Sequence, residues 1–66
     1  MNLQAQTNAL FKMDAELKAA PKNAKGKING NRFNAIVHRC VMAIHNDGEK
    51  IEDARAMAKE IWIKYA

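Results

Sequence analysis

Residues Phe33 to Ile44 read FNAIVHRCVMAI. Phe33, Ile36, Val37, Cys40, Val41 and Ile44 recur at i, i+3, i+4, i+7, i+8 and i+11. At about 100° per residue that spacing gathers all six onto one face, which predicts an amphipathic helix over residues 31–46. Asn31 can cap its start, because a side-chain oxygen there accepts from the free N–H groups of the first turn. Gly48 can stop it, because glycine takes the left-handed geometry that follows a last turn.

One amphipathic helix cannot bury its own face, so the neighbouring segments must supply the cover. Upstream, Leu3, Leu10, Met13, Leu17 and Ala20 share one side of a predicted helix over residues 3–20. Pro21 disfavours helical geometry at the residue before it and marks the end. Downstream, Ile51, Ala54, Ala58, Ile61, Trp62 and Tyr65 form the apolar face of a predicted helix over residues 50–65. Glu49, Glu52 and Asp53 crowd its start and Lys64 lies near its end, as the helix dipole prefers. The expected fold is all-α: a small three-helix domain over residues 1–66, with a basic Gly/Asn/Lys loop between the first and second helices.

Sixty-six residues, 48% hydrophobic and 27% charged, are enough for one globular domain with a small core. No apolar run approaches the roughly 18 residues that span a bilayer, and NLQAQTNAL at the N-terminus lacks a charged leader and an apolar stretch. The single cysteine, Cys40, allows no internal disulfide. These features lead us to expect a cytoplasmic protein that does not engage membranes.

The net charge of +4 is unevenly distributed. Residues 1–16 and 47–66 each carry a net −1, whereas residues 17–46 carry Lys18, Lys22, Lys25, Lys27, Arg32 and Arg39 with no acid, a net +6. Such a concentrated positive field favours nucleic acid, an acidic protein surface or, last in rank for want of an amphipathic helix with Trp or Phe beside the lysines, anionic lipid. At its centre lies PKNAKGKINGNR, residues 21–32. Asn29-Gly30 is a tight-turn dipeptide. The loop also feeds the start of the second helix, where free N–H groups and the dipole favour a phosphate. The plainer reading is a solvated connector. No G-x-x-x-x-G-K-[ST] occurs, so nucleotide hydrolysis has no support. Arg32 and Arg39 point the same way on the second helix and would extend the positive surface, although an ordinary solvated face reads the same. A helix-turn-helix is disfavoured, because its recognition helix would open with Glu49, Glu52 and Asp53 against the phosphates.

His38 and His45 are seven residues apart, about 10 Å along a helix and too far for one ion, so no metal site is expected. Cys40 in an apolar face reads as a buried structural thiol. No carboxylate pair suggests acid–base work. We therefore expect neither an enzyme nor a cofactor nor a small-molecule substrate. Phe11 and Ile63 lie about 120° and 150° from their stripes, and Met42 lies nearly opposite its own. Scattered exposure explains each singly. Together they suggest a second buried surface, either a homodimer seam or a docking site for another protein. Two functions follow: a small basic accessory or regulatory protein that binds nucleic acid through residues 18–39, or a protein-interaction module or inhibitor of phage or plasmid type.

Overall fold

A computed structural model describes residues 3–66 and contains three helices: α1 (Leu3–Ala19), α2 (Gly30–Asn46) and α3 (Ile51–Trp62). Each packs against the other two, so the expected all-α domain is what forms. The six apolar positions of FNAIVHRCVMAI supply the centre. Ile36, Val37, Cys40, Val41 and Ile44 are buried, and Phe33 packs against them from the edge. Met13 and Leu17 of α1, Ala20 and Ile28 between α1 and α2, and Ala54 and Ala58 of α3 complete the core. Met13, Leu17 and Ile44 are almost wholly enclosed, each stabilising the fold by about 1.5–3 kcal/mol relative to exposure. The two alanines leave room for α3 to approach α2 closely.

The α1 stripe differs from the expectation at its start. Leu3 is 75% exposed, whereas Gln6 is only 4% exposed. Gln6 lies seven residues before Met13 and eleven before Leu17, which puts it on the centre line of the buried face while Leu3 falls at its margin. The amide is not left bare: its Nε2 donates to Asp47 Oδ2 at 3.2 Å and Glu49 Oε1 at 3.4 Å, in the α2–α3 joint.

The start of α2 also departs from the expectation. Its cap is Asn29 rather than Asn31, and Asn29 Oδ1 accepts from the N–H groups of Asn31 and Arg32 at 2.9 and 3.3 Å. Both asparagines have the right chemistry. The cap moves two residues upstream and the helix begins at Gly30, which has no positive φ. The end of α2 is as expected. Gly48 has φ 115°, its N–H donates to the His45 carbonyl, and the Glu49 N–H donates to that of Ile44. This pair of bonds closes the exposed carbonyls of the last turn. The His45 ring faces the same joint, with Nδ1 2.8 Å from the Glu49 carbonyl. A carbonyl only accepts, so Nδ1 carries the proton.

The third helix is shorter than expected and ends at Trp62, with tighter turns continuing to Tyr65. Ile51, assigned to its buried face from the spacing, is exposed at the first turn, where α3 has not yet closed onto its neighbours.

Candidate nucleic-acid interface

The basic stretch between α1 and α2 is folded onto the domain. Lys22 and Ile28 form an isolated antiparallel bridge, and Ile28 is only 8% exposed within the core. Between them the chain reverses. The Asn23 N–H donates to the Lys27 carbonyl at 2.7 Å, and the Gly26 N–H donates to the Asn23 carbonyl at 2.9 Å. Gly26 sits at φ 77°, where a side chain would be strained. Asn23 Oδ1 also accepts from the N–H groups of Lys25 and Lys27, at 2.9 and 3.1 Å. The tight turn is therefore centred on residues 23–27 rather than on Asn29-Gly30. Asn29 is occupied as the α2 cap, and the apolar side chain of Ile28 must point inward just before it.

All six cations of the acid-free segment are exposed, but they are differently engaged. Lys22 Nζ donates to the carbonyls of Ala20 at 2.8 Å and Leu17 at 3.4 Å, which caps the negative end of α1. Arg39 Nη2 lies 2.8 Å from Glu16 Oε2 and forms an ion pair. Lys18, Lys25, Lys27 and Arg32 have no carboxylate within ion-pair distance among the described residues. Lys25 and Lys27 project from the turn, and Lys18 lies in the last turn of α1.

An open groove of about 1000 Å³ runs between the end of α1 and the start of α2. Lys22, Arg32 and Arg39 line it, and Lys18, Lys25 and Lys27 lie outside its walls. The structure thus brings three of the six cations together around one depression. It adds three side chains the sequence did not reveal there, Glu16, Asn23 and Asn29. Glu16 is 23 residues from Arg39, so no local signal joins them. The first amide groups of α2 are already satisfied by Asn29, so the helix start alone is not a ready phosphate cradle.

The expected apolar contact residues differ in exposure. Phe11 is 67% and Ile63 58% exposed, while Met42 is half-buried outside the core.

Cys40 is buried, and burial, with a smaller contribution from the charge of Glu16, pushes its thiol up to about 11. Such a thiol is neutral and unreactive at physiological pH. Among the described residues no three His, Cys, Asp or Glu side chains are grouped to hold a metal ion, and no helix is long and apolar enough to cross a membrane. Comparison with protein-family models, curated proteins and solved structures finds no match.

Proposed function

We propose that this protein is a small, non-enzymatic accessory or regulatory factor of the cytoplasm that binds nucleic acid through its phosphate backbone. The contacts come from Lys18, Lys22, Lys25, Lys27, Arg32 and Arg39. One observation carries the reading: Lys18, Lys25, Lys27 and Arg32 stand in solvent without a carboxylate partner among the described residues, on a segment of net +6. A surface ion pair would have cancelled their field locally. Its absence leaves charge available for counterion release, which dominates nucleic-acid affinity. No aromatic side chain occurs between Pro21 and Arg32, so stacking on single-strand bases has no support there.

The test is fluorescence anisotropy of labelled duplex DNA and single-stranded RNA at about 50 and 200 mM salt. Affinity should fall steeply with salt, with a log–log slope of at most about −5 if all six cations engage phosphates. A Lys25→Ala/Lys27→Ala/Arg32→Ala variant should lose most binding and keep its helical circular dichroism, since these side chains carry no ion pair among the described residues. Lys22 is left intact because it caps α1. No binding by the wild type at the lower salt sinks the proposal.

A second reading has its own observation in the exposed Phe11 and Ile63. Here the protein is a docking module for a larger protein with an acidic, partly apolar surface, or forms a homodimer. Ile63→Asp or Phe11→Ala would then abolish association in sedimentation or pull-down experiments. Under the nucleic-acid reading these changes leave binding unaltered.

A further inference from the structure

We propose that the groove between the end of α1 and the start of α2 seats the phosphodiester, with Arg32 and Arg39 as its grips and Glu16 as its internal competitor. This rests on the nucleic-acid reading above and adds the location of the site and a control on its affinity.

The hydrogen-bonding character of the groove points to an acceptor-only ligand. Asn23 and Asn29 both line it, and both have committed Oδ1 to backbone N–H groups. That fixes their amides so that the Nδ2 groups remain as donors. Arg32 adds a guanidinium with no partner among the described residues, and Arg39 adds one that is paired with Glu16. Phosphodiester oxygens accept and never donate, which matches this set. Ala20, Ala35 and Ile36 supply a low apolar floor, so no bulky side chain blocks close approach of a sugar–phosphate backbone. Arg32 and Arg39 are seven residues apart on α2, about 10 Å along the axis. Long side chains at that separation can converge on one phosphate or on adjacent ones.

Glu16 is the acid in this wall, and it holds Arg39 at 2.8 Å. A phosphate entering the groove meets the same guanidinium. Binding therefore exchanges one anion for another on Arg39 and moves Glu16 aside. An exposed pair of this kind is weak, so the exchange is accessible. Its presence lowers affinity for every anion that needs Arg39.

Anisotropy with a labelled mixed-sequence oligonucleotide duplex at about 50 mM salt compares the wild type, Glu16→Gln and Glu52→Gln. Glu52 is exposed on α3 and outside the groove, so its variant makes the same charge change elsewhere. Glu16→Gln should bind up to about tenfold more tightly, with a salt slope steeper by about one, the signature of one further phosphate contact. Glu52→Gln should change affinity far less. In 15N spectra the Nδ2 signals of Asn23 and Asn29 should shift on titration. Binding by Glu16→Gln with none by the wild type would overturn the nucleic-acid reading and the groove assignment with it. If the wild type binds but Glu16→Gln gains no more than Glu52→Gln, the groove assignment is overturned while nucleic-acid binding stands. If no form binds, both fall. An oligoglutamate peptide that displaces the duplex at equal charge concentration would overturn the phosphodiester assignment in favour of an acidic protein segment.

Discussion

Tyr65 Oη donates to Asp14 Oδ1 at 2.6 Å, across 51 residues of chain. The bond ties the final turn after α3 to the middle of α1, the two helices that each pack chiefly on α2. A tyrosine that donates to a carboxylate resists ionisation, and this bond raises the Tyr65 pKa above its ordinary value. Tyr65→Phe keeps the ring and removes the bond. It should lower the stability of the domain and with it Tm. Thermal melts followed by circular dichroism at neutral pH provide the check. An unchanged Tm would mean that α3 is held by its apolar face alone.

Alkaline pH should destabilise the fold through Cys40. In the unfolded chain the thiol ionises near its ordinary 9.0, and in the fold only at about 11. Between these values the unfolded chain has released a proton that the folded one keeps, so rising pH favours unfolding. The stabilisation is intact below about pH 9 and is lost towards pH 11, to the extent of about 2–3 kcal/mol. Urea titrations at intervals from pH 8 to 10.5 should show this decline, with a smaller slope in Cys40→Ala. The raised Tyr65 acts in the same direction, so the comparison is cleanest on a Tyr65→Phe background. Parallel pH profiles with and without the thiol would remove Cys40 as the source.

The basic turn should depend on Ile28, the apolar side chain that anchors it in the core. Ile28→Ala should cost about 2–4 kcal/mol and Ile28→Val about 1 kcal/mol. Hydrogen exchange at the Asn23 amide, bonded to the Lys27 carbonyl at 2.7 Å, should accelerate in the valine variant before global stability is lost. Protection unchanged in the valine variant would show that the bridge and Asn23 hold the turn unaided.

Three helices and their order were legible in the sequence because their apolar faces repeat at the helical period. The Gly48 stop was legible for an equally local reason: only glycine relaxes easily at φ 115°. Local chemistry was ambiguous at the start of α2, where Asn29 and Asn31 are both competent caps and the turn two residues upstream decides between them. Gln6 was missed because a polar residue carries no hydrophobic signal. Its burial follows from Asp47 and Glu49, which lie more than forty residues away.

The same division applies to the candidate site. Sequence alone determined that residues 17–46 carry six cations and no acid, since formal charge depends on composition and not on conformation. Tertiary structure decided which of those charges remain available. It turned Lys22 back onto the carbonyls of α1, carried Glu16 across to Arg39, and left Lys18, Lys25, Lys27 and Arg32 facing water. Coulomb interactions act over a few ångströms of space rather than along the chain, so the partner of a charge is set by helix packing.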